Sequence, residues 1–258
     1  MLLLTVSITK INNSLKRKLE VQKLTGGVIL KETKIASWIP INRREDASIN
    51  VIEFPQKRIY HLFKRFTDVV CSVLGIILLF VPLGVISIII LIDSPGASPI
   101  YSQKRVGKNG KEFKIYKLRS MIPNADKQID LLLDKNEMNG PAFKIKDDPR
   151  ITKVGRFIRR TSIDEFPQLF NVLKGDMSLV GPRPPLPREV AQYSEQQRKR
   201  LSVTPGLTCF WQVQPKRNNL SFDEWLELDL KYIQECSFKT DLLILIKTIG
   251  AVFNGEGE

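Results

Sequence analysis

Cysteine is scarce in this sequence. The three present, Cys71, Cys209 and Cys236, are odd in number and far apart, which argues against a disulfide framework and for a reducing, cytosol-facing location. Acidic residues are also in short supply: 27 Asp and Glu against 40 Lys and Arg leave a net charge of +13. That surplus implies an anionic partner, and nucleic acid, phospholipid headgroups and phosphorylated substrates all qualify. No nucleic-acid recognition motif appears, and the basic residues cluster around an apolar run, so nucleic acid is the weakest of these. The opening MLLLTVSITK places its apolar residues before its lysines, the reverse of a signal peptide. The bulk of the protein is therefore expected to stay unexported. At 258 residues, 43% hydrophobic and 26% charged, the chain is a folded one with material for one large core or two small ones.

What the sequence does have is one long apolar stretch. Val69–Ile92 holds 24 consecutive uncharged residues between Asp68 and Asp93, more than the roughly 20 needed to cross a bilayer. A soluble helix of that length would carry a polar stripe. Pro82, near the middle, removes a backbone donor and crowds the preceding turn, so the helix is expected to break or kink there. Basic residues stand on both flanks: Lys57, Arg58, Lys64 and Arg65 before, then Lys104, Arg105, Lys108, Lys111, Lys114 and Lys117 after. Positive loops stay cytoplasmic. Two positive flanks favour a re-entrant hairpin that returns to the face it entered over a single crossing.

Upstream, residues 1–56 contain VIL (28–30), SWIPI (37–41) and INVIEF (49–54), which suit short strands. They read as an accessory segment without an assigned role. Downstream, Ile100–Val106 and Glu112–Leu118 flank the turn Gly107–Gly110 and predict a β-hairpin. Lys117 and Arg119 would share one strand face, either solvated or facing a phosphate. Asn124–Asn139 reads as a polar helix ended by Gly140-Pro141, and Asp147-Asp148 as turn chemistry.

The stretch Ile151–Pro184, ITKVGRFIRRTSIDEFPQLFNVLKGDMSLVGPRP, organises the rest. VGRFIRR places Val154, Phe157 and Ile158 on one helical face with basic edges. Ser162 followed three residues later by Glu165 has the form of a capping box, with Asp164 in the first turn. Pro167 suits a helix start. Asp164 and Glu165 either favour the helix dipole or serve a site for phosphates and a divalent metal. Pro182 and Pro184 fix the backbone around Arg183, a held guanidinium suited to bidentate phosphate binding. Further on, Ser221–Glu235 predicts a helix. Thr240–Phe253 is apolar but too short to span, and is expected to lie along a membrane surface.

In order, KRFTDVV, the apolar hairpin, DSPG, QKRVGKNGKEFKIYKLRSM, PRITKVGRFIRRTSIDEFPQLFNVLKGDMSLVGPRP and VTPGLTCFWQV resemble the bacterial sugar transferase family over roughly Arg58 to the C-terminus. These are the monotopic phosphoglycosyl transferases that load a sugar phosphate onto polyprenyl (undecaprenyl) phosphate. The resemblance implies that Asp164 attacks a UDP-sugar, releases UMP and carries the phosphosugar as a covalent aspartyl intermediate. It implies that Glu165 helps bind Mg²⁺, and that Lys117, Arg159 and Arg183 lie near the phosphates, with Arg217 also matching. Asp229 and Asp241 match family positions without an implied role. The sequence departs from the family pattern in three places. Val81 stands where a serine is usual before the proline, Cys209 replaces a glycine, and Pro215-Lys216 lengthens the following loop and displaces Arg217 and Asn218.

The expected fold is a mostly helical α/β protein with a small β-hairpin and interfacial amphipathic helices. The expected divisions are an accessory segment at 1–56, a re-entrant membrane hairpin at 57–93 and a membrane-associated catalytic domain at 94–258. The expected location is the bacterial inner membrane, with the catalytic domain on the cytoplasmic face. The expected partners are a UDP-sugar, polyprenyl phosphate and the inner leaflet; a homodimer is left open. A nucleotide-sugar hydrolase and a non-catalytic, membrane-anchored scaffold are the alternatives.

Overall fold

A computed structural model describes residues 58–215 and 217–253, so the strands expected within 1–56 lie outside the described residues. The longest element is helix α1, Arg58–Asp93, whose 36 residues run through Pro82 without interruption. The break expected at Pro82 does not end the helix. A proline removes one hydrogen bond and crowds one turn, while the turns on either side keep theirs. Among the described residues, α1 alone is long and apolar enough to cross a bilayer, and only 6% of its most apolar window is buried. Leu78, Phe80 and Val81 are all at least 70% exposed. Such a surface seeks a membrane.

After α1 come the antiparallel strands β1, Ile100–Val106, and β2, Glu112–Leu118, paired from Ile100↔Leu118 to Val106↔Glu112 as the turn sequence predicts. Asn124–Asn139 differs from expectation. It forms two short 3-10 turns, Ala125–Gln128 and Asp130–Lys135, instead of one helix. Leu131 and Leu133 are exposed there, and a short helix without packed apolar contacts is marginal in water.

Helix α2, Lys153–Arg160, is capped by Thr152, whose Oγ1 accepts from the Gly155 N–H at 2.9 Å. Gly155 is required where α2 meets the end of β2: a Cβ there would lie 1.9 Å from the Ser120 carbonyl oxygen. A 3-10 turn, Ile163–Gln168, leads into α3, Leu169–Lys174, then β3, Ser178–Val180. Short helices α4, Pro187–Ala191, and α5, Glu195–Arg198, precede β4, Gly206–Thr208, which pairs in parallel with β3. Helix α6, Phe222–Glu235, is capped by Ser221 and Glu224, and α7 covers Phe238–Phe253.

Among the described residues, buried clusters hold these pieces together. One surrounds the stacked rings of Trp211 and Trp225, 4.4 Å apart, with Met138, Cys209, Leu220 and Phe222. The other joins Ile90 of α1 to Leu118 of β2 and Ile158 of α2, with Leu83, Ile86 and Val154 against it. The first half of α1 is also anchored. Arg65 donates to the carbonyls of Val172 (2.6 Å) and Leu173 (2.7 Å), and Asp68 accepts from Ser178 Oγ and the Leu179 N–H. At its start, Tyr60 and Lys64 converge on Asp241 of α7, which also accepts from Tyr232.

Candidate active site

Asp164 and Glu165 sit in the 3-10 turn Ile163–Gln168. The capping box expected there does not form. Ser162 has a left-handed backbone, φ 56°, and its side chain makes no cap hydrogen bond, whereas an N-cap needs an extended residue. The Glu165 carboxylate is engaged elsewhere: Lys117 Nζ, reaching from β2, lies 2.6 Å from Glu165 Oε1 and 3.8 Å from Asp164 Oδ2. Asp164 is buried. One ammonium thus bridges the carboxylate pair.

Lys117 also lines a cavity of about 590 Å³, within the range of small-molecule sites. Arg159 and Arg183 line the same space. Arg159 is oriented by Ser120, whose Oγ accepts from its Nε at 2.9 Å. The turn carrying Arg183 is pinned on both sides. The Pro182 carbonyl accepts from the Gly206 N–H at 2.9 Å, and the Pro184 carbonyl accepts from Arg105 Nη1 at 3.0 Å. Gly206 is needed for this approach, since a Cβ on it would fall 2.0 Å from the Gly181 nitrogen.

Arg105 is a site residue that the sequence does not single out, because it stands in a run of flanking cations. It is buried, its Nε has no partner, and it forms no ion pair among the described residues. Burial, then the neighbouring Arg183, pushes its guanidinium down to about 10, which leaves it cationic at neutral pH. A buried guanidinium with a spare donor, beside Arg159 and Arg183 in one cavity, suits an anionic ligand.

The profile described as Bacterial sugar transferase matches residues 59–255. The chain belongs to the bacterial sugar transferase family. It is 46% identical over 196 residues to the galactosyl transferase CpsE of Streptococcus agalactiae, covering 75% of this chain and 43% of the relative. It is 42% identical over 205 residues to an undecaprenyl-phosphate galactose phosphotransferase of Salmonella typhimurium, covering 78% and 42%. It is 38% identical over 198 residues to the exopolysaccharide production protein ExoY of Sinorhizobium fredii, covering 75% and 87%. The chain spans less than half the length of the first two relatives but most of the third.

The remaining candidates of this family member fall in different places. Arg217 is not in the large cavity. It lines a second recess of about 110 Å³ together with Glu165, and its Nη1 donates to the Gln212 carbonyl at 3.2 Å. Arg119 lines the large cavity, donates from Nε to the Ser98 carbonyl and lies over the Tyr101 ring. Asp229 is fully buried and paired with Arg200, while Asp241 ties α7 to α1 and α6; both act within the scaffold. Cys209 is buried and burial raises its thiol well above the ordinary value, so it is inert filling in the Trp211–Trp225 cluster.

Asn171 is a second residue that sequence reasoning passed over. It is wholly buried, its Oδ1 accepts from the Tyr116 N–H at 3.1 Å, and its Nδ2 donates to the Lys114 carbonyl at 2.7 Å. Its amide acts as a strand partner for the outer edge of β2, one residue from Lys117. An asparagine among the apolar residues of Leu169–Leu173 is the signal in the sequence that could have found it.

Proposed function

We propose that this protein is a phosphoglycosyl transferase that moves a sugar 1-phosphate from a UDP-sugar to polyprenyl phosphate. The observation that carries this reading is the Asp164–Glu165 pair, bridged by Lys117 at the edge of a cavity that also holds Arg105, Arg159 and Arg183. A carboxylate is a weak nucleophile toward a phosphate because the charges repel, and closely held cations reduce that repulsion. A carboxylate oxygen of Asp164 attacks the phosphorus attached to the sugar. The bond from that phosphorus to the bridging oxygen breaks, and UMP leaves with the bridging oxygen. A phosphate oxygen of the polyprenyl phosphate then attacks the same phosphorus, breaking its bond to Asp164 and restoring the carboxylate. The product is a polyprenyl diphosphate sugar. The relatives named as a galactosyl transferase and an undecaprenyl-phosphate galactose phosphotransferase support this substrate class.

The donor set also fits Mg²⁺. Among the described residues no group of three or more His, Cys, Asp or Glu forms a closed metal site. Magnesium, however, commonly takes one or two carboxylates and fills its remaining positions with water and substrate phosphate. Glu165, with Asp164 beside it, would hold the ion, and the lysine ammonium between them marks where the pair accepts positive charge. When bound, the ion neutralises the diphosphate.

For the membrane, we propose the re-entrant arrangement at the inner leaflet of the bacterial cytoplasmic membrane, with the catalytic face on the cytoplasmic side. Both arms of α1 pack on the same domain: Arg65, Asp68 and Gly75 against α3 and β3, and Leu83, Ile86 and Ile90 against β2 and α2. The exposed residues Ile77, Leu78, Phe80 and Val81 lie between them. Helix α7 exposes Phe238, Leu242, Ile246 and Ile249 and supplies a second apolar surface. Cysteines placed on either side of Val69–Ile92 should both resist labelling from the outer face of sealed cells.

The functional test is UMP release from a panel of UDP-galactose, UDP-glucose and UDP-N-acetylgalactosamine by membrane-reconstituted full chain. Release should depend on added polyprenyl phosphate and vanish in Asp164→Asn. Release independent of the lipid would make the protein a hydrolase, and full turnover by Asp164→Asn would leave only a scaffold.

A further inference from the structure

We infer that the recess beside Arg217 seats the phosphate and first isoprene units of the acceptor lipid, apart from the cavity that takes the nucleotide sugar. The inference rests on the transfer reaction proposed above, in which both substrates bring a phosphate. The structure divides the cations accordingly. Arg105, Arg159 and Arg183 line the cavity of about 590 Å³, while Arg217 lines the recess of about 110 Å³. The smaller space holds a phosphate and a few carbons, not a nucleotide.

Its walls are chemically distinct. Leu179, Leu207, Leu245, Ala251 and Val252 supply apolar surface from β3, β4 and α7, four neutral polar side chains accompany them, and the charged members are Glu165 and Arg217. Arg217 spends one donor on the Gln212 carbonyl, and a guanidinium has five, so donors remain for a phosphate. The Glu165 charge is offset by Lys117, 2.6 Å away.

The recess also leads somewhere suitable. On α7, at about 100° per residue, Leu245 and Val252 lie beside the exposed stripe of Phe238, Leu242, Ile246 and Ile249. A hydrocarbon chain leaving the recess therefore meets apolar surface and not water, which suits a long lipid whose tail stays in the bilayer. The two spaces are linked through one ion pair: Lys117 lines the cavity, Glu165 lines the recess, and the two are 2.6 Å apart. The acceptor thus reaches the phosphorus by a route separate from the donor's.

The test uses the full chain in lipid nanodiscs with a benzophenone-bearing polyprenyl phosphate. Photolabelling followed by peptide mapping should mark Leu245–Val252, and excess phosphatidylglycerol should not displace it. Labelling confined to residues of the large cavity, or displacement by phosphatidylglycerol as effective as by polyprenyl phosphate, overturns the assignment. In steady state, Leu245→Trp should raise KM for polyprenyl phosphate about tenfold while KM for the UDP-sugar stays within about twofold. If wild-type protein turns over but Leu245→Trp shifts both KM values equally, or neither, the recess assignment alone fails. If wild-type protein transfers from no UDP-sugar to polyprenyl phosphate, the transfer reading fails and takes this inference with it.

Discussion

Replacing Asn171 with leucine, which has nearly the same shape, removes both halves of its amide while leaving the space filled. Two backbone groups on the outer edge of β2, the Tyr116 N–H and the Lys114 carbonyl, then lose their partners. Asn171 is fully buried, so water does not replace it. An orphaned buried polar group costs about 1–3 kcal/mol, which gives roughly 2–6 kcal/mol for the two. In a domain of this size each kcal/mol is worth about 2–4 °C, so the unfolding midpoint in detergent should fall by about 10 °C. Activity should fall as well, because Lys117 follows Tyr116 directly and its position against Glu165 depends on β2 lying against α3. Differential scanning fluorimetry of the full chain reads the first effect and UMP release at permissive temperature the second. A midpoint within about 2 °C of wild type would refute the reasoning, because it would mean that the two backbone groups are satisfied without Asn171.

Three further outcomes follow from the same packing. Asp229→Leu strands the Arg200 guanidinium in the interior and should cost about 3–5 kcal/mol, whereas Arg200→Met with Asp229→Leu should recover most of the loss in unfolding scans. Gly155→Ala forces α2 away from the Ser120 carbonyl, 1.9 Å from the new methyl position. Because Ser120 orients Arg159, kcat for UMP release should drop by about tenfold or more even in protein that remains folded. Chelation with EDTA should abolish UMP release and added Mg²⁺ restore it, while the unfolding midpoint without substrate moves little, since the carboxylate pair is already bridged by Lys117.

The parts of this molecule that depend on neighbouring residues in the chain were readable in its sequence. The hairpin follows from the Gly107–Gly110 turn between alternating strands, α6 from the apolar spacing of Phe222, Trp225 and Leu226, and the apolar run from composition alone. The misreadings arose where tertiary contacts decide. Ser162 and Glu165 have the spacing of a capping box, but Lys117, 48 residues away from Glu165 in sequence, takes the glutamate and Ser162 turns left-handed. Asn124–Asn139 has helical composition yet finds no apolar surface for Leu131. In the candidate site, Asp164, Glu165, Lys117, Arg159 and Arg183 were named together from their motifs, and the structure puts Lys117 against both carboxylates and in one cavity with Arg159 and Arg183. Burial was not: Arg105 looks like any other flanking cation until the Pro184 carbonyl closes over it. Nor could the sequence separate Arg217 from the other phosphate-binding candidates, because its placement depends on how the loop from Cys209 to Asn218 folds against α7.

In the proposed reaction Asp164 carries the phosphosugar between donor and acceptor. Intact-protein mass spectrometry of the full chain, incubated with Mg²⁺ and the UDP-sugar it turns over but without polyprenyl phosphate, tests it most directly. The expected result is a mass increase equal to one sugar phosphate, located on the Asp164 peptide, absent from Asp164→Asn and discharged when polyprenyl phosphate is added. An unmodified Asp164 in protein that turns over normally once the lipid is supplied would contradict it, and would mean that the acceptor attacks the donor directly.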